Sequence, residues 1–302
     1  MCEFKIIRQS KKSQARLGII KTNHGEIKTP VFMPVGTVGV VKTVTPDELK
    51  KLGAEIILGN TYHLYLRPGD GFIKRFGGLH QFIKWDKPIL TDSGGYQIFS
   101  LGAKKSEMSK SKYQMSNEFR IDSSASLHFA QNDKQRNNCE LPVDNDSLVK
   151  ITKNGVEFRS HLDGSKHFFT PEKVIDIQLN LGSDIIIVLD VCTEYPATKK
   201  RAKETMEITH KWAMRSIKYW HKLKTQSSKL KTITKNSKLK DIDKKMLFGI
   251  VQGSVYKDLR IESAKYISNL NFDGVAVGGV SVGEGKENMK KVMKELKKHG
   301  LH

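Results

Sequence analysis

The chain has 302 residues, enough to bury one sizeable core, either as a single large α/β domain or as two smaller ones. Its 52 Lys and Arg against 32 Asp and Glu leave a formal net charge of +20, which favours a polyanionic partner such as nucleic acid, although Lys-rich compositional drift gives the same excess. The scattered cysteines (Cys2, Cys139, Cys192) contain no C-x-x-C and argue against a disulfide framework or an internal zinc site; with no signal-peptide run and no apolar stretch longer than residues 185–189, a reducing cytoplasm is expected and a membrane is not.

Along the chain, short apolar runs at residues 30–35, 55–58, 88–91, 184–189, 247–251 and 274–277 predict buried strands. Most are followed by helix signals. Thr45-Pro46-Asp47-Glu48 is a capping box with Pro at the first helical position, and Gly53 is its stop. Thr170-Pro171-Glu172 opens a helix that ends near Gly182. Residues 198–220 and 255–270 are amphipathic helices, and residues 285–298 close the series with Lys297 and Lys298 in the last turn. Strand–helix alternation of this kind implies a parallel sheet. Two polar stretches interrupt it, residues 102–150 and residues 222–245, both rich in Lys and Ser. They read as weakly ordered insertions in a single domain spanning 1–302; a solvated insertion and an RNA-contacting arm both fit their composition.

Polar or glycine residues stand at the end of each predicted strand: Gly36-Thr37, Asn60-Thr61-Tyr62-His63, Asp92-Ser93, Asp190, Gln252 and Gly278-Gly279. A (β/α) barrel does this because its site lies at the C-terminal ends of its strands. No G-x-G-x-x-G follows the first strand and no P-loop is present, which disfavours nucleotide-cofactor folds. Asp92 and Asp190 are carboxylates on different strand ends, and one carboxylate can accept two parallel N–H bonds from an amidine edge such as that of guanine. Gln252 and the amides near Gly279 can donate to a carbonyl, and Tyr96 can stack on a ring. Taken singly, each Asp could instead cap the following helix.

At these residues the chain resembles the bacterial queuine/guanine tRNA-ribosyltransferases. The resemblance runs through Thr29-Pro30-Val31-Phe32-Met33-Pro34-Val35-Gly36-Thr37, Leu58-Gly59-Asn60-Thr61-Tyr62-His63-Leu64 and Thr91-Asp92-Ser93-Gly94-Gly95-Tyr96-Gln97. It continues in Ser160-His161-Leu162-Asp163-Gly164-Ser165, Asp190, Cys192-Thr193, Gly249-Ile250-Val251-Gln252-Gly253 and Ala276-Val277-Gly278-Gly279. It implies a (β/α)8 TIM-type barrel that exchanges guanine in a tRNA anticodon loop for a 7-deazaguanine, in the queuosine pathway, through a covalent aspartyl intermediate with net retention. It implies Asp92 as proton acceptor. Asp92, Ser93, Gly94, Gly95 and Tyr96 then line the base pocket, Asp190 meets the amidine edge, Gln252 and Gly279 meet the carbonyl, and Cys192 forms a wall. The family's nucleophilic Asp and its zinc ligands, a C-x-C-x-x-C with a His, have no match before His302. The reading is therefore an incomplete barrel of about six β/α units that carries no cofactor of its own, although zinc is expected in full-length members. Its expected partners are tRNA, the free base and either a second copy or a C-terminal partner chain. Two readings stand: a base-exchange subunit inactive alone, and a non-catalytic fragment that retains weak RNA or guanine binding.

Overall fold

A computed structural model describes residues 2–102, 149–230 and 241–298. Its centre is a six-stranded parallel sheet whose strands stand side by side in chain order. They are β4 (Val35–Gly36), β5 (Ile57–Gly59), β6 (Ile89–Thr91), β10 (Ile185–Ile187), β11 (Met246–Val251) and β12 (Gly274–Val277). The sheet and its helices are of TIM-barrel type, as the alternation of strand and helix predicts. The first predicted strand is shorter than expected, since only Val35 and Gly36 pair with β5. The apolar runs form strands because consecutive residues, pointing to both faces, are buried: Ile89, Leu90 and Thr91 are all buried.

The covering helices follow the caps read in the sequence. Thr45 accepts from the Glu48 amide and Glu48 reaches back to it at the start of α1 (Pro46–Lys51). Short helices α2 (Thr61–Leu66), α3 (Asp70–Arg75), α4 (Leu79–Ile83) and α5 (Gly95–Gly102) follow β5 and β6. Thr170 caps α6 (Pro171–Leu181), which ends at Gly182. Helix α7 (Lys199–Leu230) runs past Trp220, so residues 222–230 are helix and not part of an insertion. The reason is packing: Leu223 and Ser227 remain buried along the apolar face that Ala213, Ile217 and Trp220 begin. Of the two expected insertions, residues 103–148 and 231–240 lie outside the described residues. Helices α8 (Lys257–Ser268) and α9 (Gly285–Lys298) complete the set. Among the described residues no helix is long and apolar enough to cross a membrane.

Two antiparallel sheets were not expected. One is β1 (Glu3–Gln9), β2 (Arg16–Thr22) and β3 (Gly25–Thr29); the other is β7 (Val149–Ile151), β8 (Val156–Arg159) and β9 (Lys166–Phe169). The second packs Val156, Phe158 and Phe169 against Tyr62 and Ile98, so its β8–β9 turn lies beside the strand-end rim. There His161 Nδ1 is 2.9 Å from the Tyr62 hydroxyl.

The first sheet brings His24 to the opposite end of the barrel. Its Nδ1 lies 2.6 Å from Asp184, which precedes β10, and its ring stacks on buried His80 at 3.6 Å. These three residues gather possible metal-ligand atoms, but the ring nitrogens lie against the Asp184 carboxylate itself, His24 Nδ1 at 2.6 Å from one oxygen and His80 Nε2 at 3.2 Å from the other. We therefore read the cluster as a hydrogen-bonded lock. Burial keeps His80 neutral below its ordinary range, although Asp184 opposes this. Burial would raise Asp184, but the contacts with His24 and His80 outweigh it and hold the carboxyl well below its usual range. Both groups are depressed, so each contributes stability at high pH that is lost as pH falls. Urea unfolding midpoints should drop below about pH 6.5 and again below about pH 4, at up to about 1.4 kcal/mol per pH unit for each group. His80→Gln should make the first limb shallower without removing it, because burial pushes His210 down to about 4 and it contributes over the same range; an unchanged limb would remove His80 from this role.

Candidate active site

Most of the polar residues predicted at the strand ends come together: Asn60 and Thr61 on Asp92, Ser93 and Gln252 on Asp190, and Gly278-Gly279 against Gln252, while no hydrogen bond among the described residues brings Gly36 or Thr37 to them. The first step is an opening between β6 and β10. Their ladder covers only Ile185–Leu90 and Ile186–Thr91. Beyond it, fully buried Gln178 reaches in from α6, accepting from the Ile187 amide at 3.0 Å and donating to the Ile187 carbonyl at 2.9 Å. A side chain thus takes the hydrogen bonds that a longer β6 would supply, and the two chains continue past it carrying Asp92 and Asp190.

Asp92 follows β6 directly and is half-buried. Its Oδ1 accepts from the Thr61 amide at 2.9 Å and the Gly94 amide at 3.2 Å. Its Oδ2 accepts from Asn60 Nδ2 and from Gln97 Nε2 at 3.1 Å. Burial raises its pKa and these four donors oppose the rise. The capping alternative is therefore partly true of Asp92, which satisfies amides at the start of α2 and before α5, but not of Asp190.

Asp190 is 5% exposed and accepts from the Ser93 hydroxyl at 2.9 Å and from Gln252 Nε2 at 2.6 Å. Burial pushes its pKa up to about 6, against those two bonds, and the negative charge of Asp92 adds to the rise. The carboxylate sits under Gly95, where a Cβ would come within 2.8 Å of Oδ1. Any side chain at position 95 would fill the space above it. Gln252 directly follows β11, and its Oε1 is buried without a partner among the described residues. That atom lies beside Gly278 and Gly279 after β12: a Cβ on Gly279 would meet it at 2.5 Å.

Cys192 is half-buried on the same side, with its thiol pushed up to about 12 by burial and then by Asp190 and Glu194. A thiol held protonated in this way is not a nucleophile at neutral pH. Tyr96 is 52% exposed at the start of α5, free on one face. Asn60 and Thr61 were read at the rim without a role, and Gln97 only as part of a motif; all three hold Asp92. Arg260 and Ser263 were not singled out. They lie on α8, whose spacing marks a helix but not which polar residues face inward.

A parallel barrel-type sheet with two carboxylates, an amide and a diglycine turn beyond the C-terminal ends of its strands defines an α/β-barrel protein whose polar groups gather where such barrels place their sites. Comparison with known proteins gives the family. The family model described as queuine tRNA-ribosyltransferase matches residues 10–132 and 140–300. Curated proteins of that name are 47% identical over 291 residues in Caldanaerobacter subterraneus subsp. tengcongensis (96% of this chain, 61% of that protein) and 46% over 287 residues in Thermoanaerobacter sp. strain X514 (95% and 60%). The protein of Dictyoglomus turgidum is 44% identical over 290 residues (96% and 59%). The chain belongs to the queuine tRNA-ribosyltransferase family. It spans about 60% of the length of the curated relatives it matches.

Proposed function

We propose that the strand-end pocket binds guanine or a 7-deazaguanine base, and that the protein serves base exchange in a tRNA anticodon loop. The observation that carries this reading is Asp190: a buried carboxylate bracketed by two donors that a ligand can replace. Guanine offers an N1–H and a 2-amino group at the spacing of one carboxylate. As they take over Asp190, Gln252 is released from it. Its Nε2 is then free to donate to O6. Tyr96 covers the open face of the ring. Asp92 is the group left to carry the proton of the leaving or entering base, because burial already favours its protonated form.

The charge of +20 supports tRNA as the macromolecular substrate and a cytoplasmic setting follows from it. The single-domain reading with two polar insertions, and assembly with a second copy or partner chain, belong to the same proposal. Zinc does not fit the residues present. The Cys2 thiol donates to the Lys244 carbonyl while Cys192 stands in the pocket, so no described cysteine pair can form a site and no step runs through a metal.

Equilibrium dialysis with labelled guanine tests this. Binding should be strongest above pH 7 and weaken as pH falls through about 6, approaching tenfold per unit below it. The sign follows from Asp190: protonation leaves one acceptor where the base needs two. No guanine binding between pH 6 and 8, or binding that ignores pH, would overturn the reading.

A further inference from the structure

Arg260 is completely buried and has no carboxylate in hydrogen-bond contact. Its guanidinium instead donates to four backbone carbonyls. Nε reaches Ser254 at 2.6 Å; one terminal nitrogen reaches Val251 at 3.1 Å and Gly278 at 2.6 Å; the other reaches Gly279 at 2.9 Å. Sequestering a guanidinium this way is expensive unless the five N–H donors are used, and its value lies in where it fixes the carbonyls. In a trans peptide the carbonyl and the following N–H point in opposite directions, and neither bond here is cis. Drawing the Gly278 and Gly279 carbonyls onto one cation therefore turns the amides of Gly279 and Val280 together, away from Arg260. Gly279 adopts φ +58, which permits this two-carbonyl grip.

Further along the same loop, Glu284 accepts from the Ser281 amide at 2.5 Å and the Val282 amide at 2.8 Å. Among the described residues, the amides of Gly279 and Val280, between these two anchors, make no hydrogen bond. Paired free amides in such a turn form an oxygen-binding nest. The turn rests against Gln252, whose other contact is Asp190.

We infer that Arg260 is a positioning residue that holds the Gly279 and Val280 amides as a two-donor cradle for the carbonyl oxygen of the bound base. The inference rests on the base-binding reading above and adds to it the device that selects a 6-oxo ring. Arg260 touches no substrate itself. Lysine at 260 keeps the charge but cannot span four carbonyls with a fork of fixed geometry.

The test compares guanine with 6-thioguanine, which keeps the amidine edge and replaces O6 by a poor acceptor. In the wild-type chain guanine should bind about tenfold more tightly than thioguanine, the worth of one hydrogen bond in a buried site. Arg260→Lys should weaken guanine about tenfold and thioguanine by less than threefold, so the preference collapses. Equal weakening of both would show a merely structural role, and unchanged guanine binding would remove the role altogether. Should the variant fail to fold, wild-type chain labelled with ¹⁵N-glycine and ¹⁵N-valine decides: the Gly279 and Val280 amide resonances must move with guanine and move less with thioguanine. If they stay still while guanine binds, the cradle is elsewhere. If the wild-type chain binds neither base, the base-binding reading itself fails.

Discussion

Replacing Asp190 by alanine should weaken guanine binding roughly a hundredfold, about 3 kcal/mol, while leaving the fold intact. The magnitude comes from two hydrogen bonds to a charged acceptor, each worth about 1.5 kcal/mol in a buried site. The second half of the expectation separates a binding residue from a structural one. A carboxylate that titrates at about 6, where 3.8 is usual, favours the native state below pH 3.8 and loses that contribution as pH rises through 6. At neutral pH the buried charge therefore costs roughly 3 kcal/mol of folding free energy. Alanine removes this cost but frees the Ser93 hydroxyl and Gln252 amide, so the two effects offset. The urea midpoint of Asp190→Ala at pH 7.5 should equal or exceed that of the wild type, with guanine binding lost in dialysis. A large drop in the midpoint would mean that Asp190 is a structural member of the core; retained binding would move the amidine contact to another residue.

The parallel sheet was legible because its strands are continuous apolar runs closed by polar residues, and because Thr45 and Thr170 announce helix starts by local chemistry alone. The gathering of polar groups was legible for the same local reason: Asp92, Asp190, Gln252 and Gly279 each follow a strand end. The two antiparallel sheets were not seen. Strand β1 is exposed along its whole length and shows no inside–outside contrast, while β8 and β9 are short and sit beside a polar tract. Their turn signals, Asn154-Gly155 and Asp163-Gly164, were available and went unused. The length of α7 was missed because its end is Lys- and Ser-rich by composition although every fourth residue or so still faces the core. Arg260 and Gln178 lie deeper than any local pattern reaches. Each is an ordinary polar residue of an amphipathic helix until tertiary packing places it against open strand ends.

The 302-residue chain on its own should hold guanine yet leave the guanine of tRNA in place, with no covalent RNA adduct. Exchange with retention needs one carboxylate close below the anomeric carbon of the ribose and a second group for the proton of the departing base. Among the described residues, the carboxylates at the pocket are already assigned. In the proposed base-binding pose Asp190 faces the amidine edge. Asp92 is held by four donors from β5, α2 and α5 and is the group suited to the proton. Glu284 is bound to the Ser281 and Val282 amides, and Glu194 pairs with Arg201 at 3.0 Å. None is free to attack carbon. The chain's charge of +20 acts independently of this chemistry, so tRNA should still associate weakly and come off steeply with added salt. Incubation with labelled guanine and tRNA, followed by a denaturing gel, gives the answer: base binding without label transfer and without a shifted band is the expected result. Transfer by these residues alone would mean that Asp92 leaves its donors and attacks the ribose itself. Asp92→Asn would then abolish the adduct, and the proton would have to be handled at Asp190, whose pKa of about 6 suits that task.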